Sequence, residues 1–147
     1  MLGLLNINQL IMNQNYLKRI FIVDDDPFWT AMLSQMLRDL GYEYIKEYSN
    51  GQECLDHLHL NPSLIFLDYH LGDDMNGLEV LQKVKDYYPG IGVVFCTALE
   101  DLSVAVEAIS FGSFDYLLKS NANPKEVAEI VKKVNNQKTA TSHLEIV

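Results

Sequence analysis

The sequence predicts an α/β fold, a doubly wound parallel sheet of five strands with helices on both faces. The chain has 147 residues, a length that allows one ordinary domain. Hydrophobic residues make up 48% of it and charged residues 21%, which is typical of a globular protein with a buried core. Short apolar runs alternate along the chain with patterns that repeat every three or four residues, as they do in parallel α/β sheets.

Five runs have the length and composition of strands, at residues 19–23, 42–48, 63–67, 91–96 and 114–118. Four of them are almost continuously apolar, which predicts strands covered on both faces. The second run, YEYIKEY, alternates polar and apolar residues and is expected at an edge of the sheet. Right-handed crossovers favour the strand order 2-1-3-4-5.

Helices are predicted between and after the strands. Apolar residues at spacings of three and four form one stripe in each of four segments, 29–40, 78–88, 102–109 and 127–134. Asn50, Asn76 and Asn123 each precede a glutamate by three residues, the spacing of a capping box. Asp26 caps the first helix, and proline follows both Asp26 and Asn123 at the first helical position. These signals predict five helices.

One domain is predicted over residues 19–135, with an N-terminal extension at 1–18 and a short polar tail at 136–147. The first 12 residues are apolar but lack a basic segment, so an extension is expected there rather than a signal peptide. The formal charge of −9 would repel phosphates, so neither nucleic acid nor an anionic membrane is expected as a partner. Cys54 and Cys96 have no CxxC spacing, which predicts reduced thiols in a cytoplasmic protein.

Acidic residues follow two strands that the predicted order makes neighbours. Asp24, Asp25 and Asp26 end the first strand, and Asp68 ends the third. The carboxyl ends of these strands meet at the crevice where open α/β sheets bind ligands. Two carboxylates about 5 Å apart repel by roughly 3 kcal/mol at an effective dielectric near 20, so a neutralising divalent cation is expected. Oxygen ligands with room for water suit Mg²⁺.

Thr97 and Lys119 end the fourth and fifth strands and bring a hydroxyl and an ammonium group to the same edge. An aspartate can attack phosphorus while such groups stabilise the phosphoryl oxygens. The sequence has no phosphate-binding glycine loop and no Ser-His-Asp or Cys-His arrangement. A phosphoryl group is therefore expected from a donor that brings its own binding machinery.

The motifs IVDDD (22–26), FLDYHLGDDMNGLEVL (66–81), FCTA (95–98) and FDYLLK (114–119) stand in this order. With them the chain resembles, over residues 19 to about 135, the flavodoxin-like receiver domain of two-component response regulators of the single-domain chemotaxis type. The resemblance implies a phosphorylation-dependent switch rather than an enzyme, limited to its own phosphorylation and slow autodephosphorylation. It implies a sensor histidine kinase or phosphotransfer protein as donor and a downstream protein as target, with a phosphorylation-dependent homodimer left open.

The resemblance also implies a role for each matching residue. Asp68 would be the phosphoacceptor. Asp25 would bind Mg²⁺ directly, Asp24 would act through water, and the backbone carbonyl of His70 would complete the metal shell.

The same resemblance makes Thr97 the switch hydroxyl that moves toward the phosphoryl group, with Lys119 paired to that group. Tyr116 would be the aromatic residue that turns inward when Thr97 moves. Gly77 matches the glycine at the start of the family's third helix.

Three departures from the family pattern affect the loops. Gly72 stands where the family has proline, and Asp73 and Asp74 lengthen that loop by one residue. Ser120 replaces a proline that is cis in the family; because a non-proline cis bond costs about 2.5–4 kcal/mol, a trans bond is favoured. The side chain of His70 borders the path of an attacking water.

Two other functions are compatible with parts of the pattern. Asp24-x-Asp26 has the spacing of a haloacid-dehalogenase-type phosphatase, but Phe28 departs from that motif. A receiver-like interaction module without phosphorylation would not need Asp68. His57 and His59 share a side only on a strand, and this stretch is predicted as a helix end, so a metal pair is not favoured.

Overall fold

The structure is a computed structural model that describes residues 19–72 and 75–146. Its five strands form one parallel sheet in the order β2-β1-β3-β4-β5, as the sequence predicts. The strands are β1 (Arg19–Val23), β2 (Tyr44–Tyr48), β3 (Leu64–Asp68), β4 (Gly92–Thr97) and β5 (Asp115–Leu118).

Five α-helices connect and flank these strands: α1 (Pro27–Asp39), α2 (Gly51–Asp56), α3 (Gly77–Tyr87), α4 (Leu102–Ser110) and α5 (Pro124–Ile146). Short 3₁₀ turns lie at Leu58–Leu60, Leu99–Asp101 and Lys119–Asn121. The predicted caps are present, because the side chains of Asn50, Asn76 and Asn123 each accept a hydrogen bond from the backbone N–H three residues later. None of the described helices combines the length and apolarity needed to cross a membrane.

The sheet separates two hydrophobic cores because successive strand residues point to opposite faces. On one face, Ile20, Ile22 and Phe66 pack with the apolar sides of α1 and α5. On the other face, Phe21 and Phe95 pack with α2, α3 and α4. β3 is buried along its whole length, whereas β2 exposes most of its residues, as expected of an edge strand. Because helices pack on both faces of the sheet, the ends of the strands are held in fixed positions at its edge.

The structure differs from the sequence-based expectation at the C-terminus. The polar tail predicted for 136–147 is helical as far as it is described, since α5 continues to Ile146. A helix whose first turns are packed propagates at little cost without an apolar stripe. Lys138 adds a contact to the body of the protein, because its Nζ donates a hydrogen bond to Gly90 O at 3.1 Å. The domain boundaries themselves remain predictions.

Two predicted loop features can be located. The described residues contain no cis peptide bond, so the Lys119–Ser120 bond is trans, as favoured by the sequence. The predicted N-terminal extension, 1–18, and the additional residues Asp73 and Asp74 lie outside the described residues.

Candidate functional site

Three carboxylates meet where β1 and β3 end. Val23 pairs with Leu67, so the residues that follow them emerge side by side. Asp24 and Asp68 are buried, with 3% and 5% of their surface exposed, while Asp25 is exposed. One oxygen of each carboxylate lies within 4.8 Å of the others. The strand order thus brings together the acidic residues that the sequence selects.

Lys119 reaches this cluster from the turn that follows β5. Its Nζ lies 2.6 Å from Asp24 Oδ2 and 3.6 Å from Asp68 Oδ1. The contact with Asp24 is the shorter of the two ion pairs. The same ammonium lies 5.4 Å from the centre of the Trp29 ring, within the range of a cation–π interaction. The Lys119 ammonium is therefore close enough to interact with both buried carboxylates, those of Asp24 and Asp68.

The cluster holds more negative than positive charge, with three carboxylates and the one Lys119 ammonium among the described residues. Burial raises the pKa of Asp68 to about 6, and the neighbouring Asp24 carboxylate adds to the increase against the attraction of Lys119. Burial also raises the pKa of Asp24, opposed by the contact with Lys119. Burial alone would lower the pKa of Lys119, but Asp24 and Asp68 outweigh it and raise that pKa. A further cation would relieve the repulsion between the carboxylates.

Asp24 and Asp25 differ in their freedom to bind a metal directly. Asp24 Oδ1 accepts a hydrogen bond from Asp26 N at 2.9 Å, and Oδ2 faces Lys119. Within the described residues, Asp25 Oδ2 accepts one long hydrogen bond, from Gly72 N at 3.3 Å. The oxygen donors fit a hard ion such as Mg²⁺, and Asp25 offers the most accessible of them.

Thr97 ends β4 as a fully buried residue, and its Oγ1 has no hydrogen-bond partner among the described residues. A buried hydroxyl left unpaired costs about 1–3 kcal/mol, which indicates a polar partner that arrives later. Thr97 pairs with Leu118 across the β4–β5 ladder and so lies next to the strand that delivers Lys119. Tyr116, on the same strand, is half-buried against the core shared with α2, α3 and α4.

Two further predicted residues support the site without joining it. Asp26 accepts hydrogen bonds from Phe28 N at 3.0 Å and Trp29 N at 3.4 Å, which confirms it as the cap of α1. It is therefore not part of a DxD pair in the cluster. Gly77 donates a hydrogen bond to Tyr69 O at 2.8 Å, and a Cβ there would overlap the carbonyl oxygen of Asp68.

One contact beside the cluster was not predicted. His70 Nε2 lies 2.9 Å from Asp101 Oδ2, which joins the loop after β3 to the turn before α4. The His70 side chain is 69% exposed, and its ring packs edge-on to Tyr69 at 4.8 Å. Nothing in the spacing of His70 and Asp101 signals this pair, because it forms only when the ends of β3 and β4 lie side by side.

Comparisons with known proteins agree with this geometry. A family model described as response regulator receiver domain matches residues 20–134. Chemotaxis protein CheY of Thermotoga maritima is 30% identical over 119 residues, which are 80% of this chain and 98% of that protein. Regulatory protein LuxO of Vibrio vulnificus is 36% identical over 116 residues, 78% of this chain but only 24% of LuxO. A solved CheY-like receiver domain protein of Methanospirillum hungatei has a TM-score of 0.73 and 31% identity, covering 84% of this chain and 98% of that one.

Proposed function

The chain belongs to the response regulator receiver domain family, and we propose that it is a signalling switch that accepts a phosphoryl group on Asp68. Receiver domains are phosphoacceptor switches rather than enzymes in the ordinary sense, and they interact with histidine kinases and downstream effectors. The observation that carries the proposal is the cluster of Asp24, Asp25 and Asp68 around the Lys119 ammonium.

The proposed reaction transfers a phosphoryl group from a phosphohistidine of the kinase. A carboxylate oxygen of Asp68 attacks phosphorus, the bond from phosphorus to the imidazole nitrogen breaks, and the released imidazole takes up a proton. Asp68 is the suitable acceptor because it ends the central strand and faces both other carboxylates. Lys119, now 3.6 Å from Asp68 Oδ1, is placed to hold a phosphoryl oxygen.

The acidic cluster would hold Mg²⁺, which neutralises the carboxylates and the charge of the incoming phosphoryl group. Asp25 and Asp68 would bind it directly, and the backbone carbonyl of His70 would complete the protein's share of the shell. Asp24 would act through water, since its two oxygens already face Asp26 N and Lys119.

The switch would begin at Thr97. Its unpaired, buried Oγ1 gains a hydrogen-bond acceptor when a phosphoryl oxygen arrives, and its movement leaves space for Tyr116 to turn inward. Next to these residues, α4 exposes Val106 and Ile109, with 58% and 42% of their surface accessible, and the 3₁₀ turn before it exposes Leu99, with 61%. Such apolar side chains at the surface suit a downstream protein that binds the phosphorylated form.

The proposal is tested by labelling with acetyl phosphate in the presence of Mg²⁺. We expect the parent chain to gain one phosphoryl group, Asp68→Asn to gain none, and Asp25→Asn to need much more Mg²⁺. Asp26→Asn is the matched control, because asparagine caps a helix as well as aspartate does. It should label like the parent.

The outcomes separate the candidate functions. Undiminished labelling of Asp68→Asn would overturn the acceptor, and continuous turnover of phosphate would favour a phosphatase. No labelling of the parent chain would favour an interaction module. The expectation that nucleic acid is not a partner stays a prediction, since the match spans only 24% of the regulatory protein LuxO.

A further inference from the structure

Two imidazole rings lie together just after α2. His57 directly follows Asp56, the last residue of α2, and His59 lies in the 3₁₀ turn Leu58–Leu60. The ring centroids are 6.0 Å apart and the planes differ by 29°. Both residues are exposed. The helix changes at His57, where φ is −111° and ψ 9°, and this places on one side two rings that a regular helix would separate.

The hydrogen bonds of the two rings fix their tautomers. His57 Nδ1 lies 2.7 Å from Glu53 O, and His59 Nδ1 lies 3.1 Å from Asp56 O. A carbonyl oxygen only accepts hydrogen bonds, so Nδ1 is the donor in both rings. In the neutral rings the lone pair is therefore on Nε2. Histidines that ligate metals commonly donate their other N–H to a backbone carbonyl in this way.

One ring of the pair, that of His57, is held in place by aromatic contacts to the core. The Tyr48 ring stacks on His57 with centroids 5.1 Å apart and an interplanar angle of 24°. Tyr48 in turn packs edge-on to the fully buried Phe21, at 4.9 Å. Because the first ring is held against the core, less rotational freedom is lost when a ligand binds.

We propose that His57 and His59 bind one divalent transition-metal ion through their two Nε2 atoms, with water as the remaining ligands. Neutral imidazole suits Cu²⁺, Ni²⁺ and Zn²⁺, whereas Mg²⁺ prefers oxygen, so this site and the carboxylate cluster select different ions. Metal–nitrogen bonds of about 2.0–2.1 Å require the two Nε2 atoms to lie within about 4 Å of each other. Rotation of the exposed His59 ring supplies that approach, while His57 stays stacked on Tyr48. The net charge of −9 favours cations near the chain.

The site can be tested by calorimetric titration of the full chain with Cu²⁺, Ni²⁺ and Zn²⁺ in saturating Mg²⁺, which occupies the carboxylate cluster. We expect one ion per chain, with Cu²⁺ bound most tightly. His57→Gln and His59→Gln should each weaken binding about tenfold or more, since either change removes one of two ligands.

The chain offers a control with the same number of imidazoles removed. It has four histidines, so the single variant His143→Gln can be compared directly with His57→Gln and with His59→Gln. The control should bind like the parent chain, and only the other two variants should lose affinity. A parent chain that binds no ion, an equal loss in His143→Gln, or unchanged affinity in His57→Gln and His59→Gln would overturn the proposal.

Discussion

Negative charge exceeds positive charge around Asp68, so we predict that neutralising the Asp68 carboxylate stabilises the metal-free protein. Asp68 is 5% exposed, and its pKa is raised from 3.8 to about 6. As the pH rises, the carboxyl ionises first in the unfolded chain, so the folded state loses stability from about pH 4 upward. At 1.36 kcal/mol for each pKa unit, the full loss is about 3 kcal/mol well above pH 6. Asp68→Asn removes the group that titrates.

The assay is urea denaturation in EDTA, followed by circular dichroism at several pH values. The free energy of unfolding of Asp68→Asn should exceed that of the parent chain by about 3 kcal/mol at pH 8 and by less than about 1 kcal/mol at pH 4. Saturating Mg²⁺ should reduce this difference in the free energy of unfolding. The ion stabilises the parent chain, whereas Asp68→Asn lacks one of the Mg²⁺ ligands.

Asp86→Asn is the matched control, an exposed residue of α3 that undergoes the same chemical change. It should alter stability by no more than about 0.5 kcal/mol at either pH. If Asp68→Asn gives no gain in stability at pH 8, or the same gain at pH 4 and pH 8, the Asp68 carboxylate is not the destabilising charge. The same follows if Asp86→Asn stabilises the protein as much as Asp68→Asn does.

Three other changes test separate features of the structure. Gly77→Ala should lower the free energy of unfolding by about 1–3 kcal/mol because its Cβ meets backbone, whereas Gly90→Ala, in open space, should have little effect in the same urea titration. Lys119→Met should destabilise the metal-free protein by up to about 3–5 kcal/mol at pH 8 and by less at pH 4, where the Asp68 carboxyl is protonated; equal losses at both pH values would contradict this. Burial raises the pKa of Cys54 to about 12 and also raises that of Cys96, so a thiol reagent should label neither until urea is added.

The acidic cluster was predictable from the sequence because two local signals were enough. Continuous apolar runs predicted buried parallel strands, and the connections favoured the order that the structure has. The carboxyl ends of parallel neighbours lie at one edge, so Asp24, Asp25 and Asp68 had to approach one another once that order was known. The helix caps followed in the same way, since each depends on residues three positions apart.

The contacts of individual side chains needed the tertiary structure. Lys119 lies against Asp24, and Thr97 Oγ1 has no hydrogen-bond partner in the described part of the chain. Residue spacing along the sequence carries no such distances. The stacking of His57 on His59 depends on the backbone angles of one residue where a helix changes type. Local sequence patterns encode which face a residue occupies, because that depends on the period of a helix or strand. Which atoms meet across the fold depends on long-range packing, and that was decided only when the whole chain was folded.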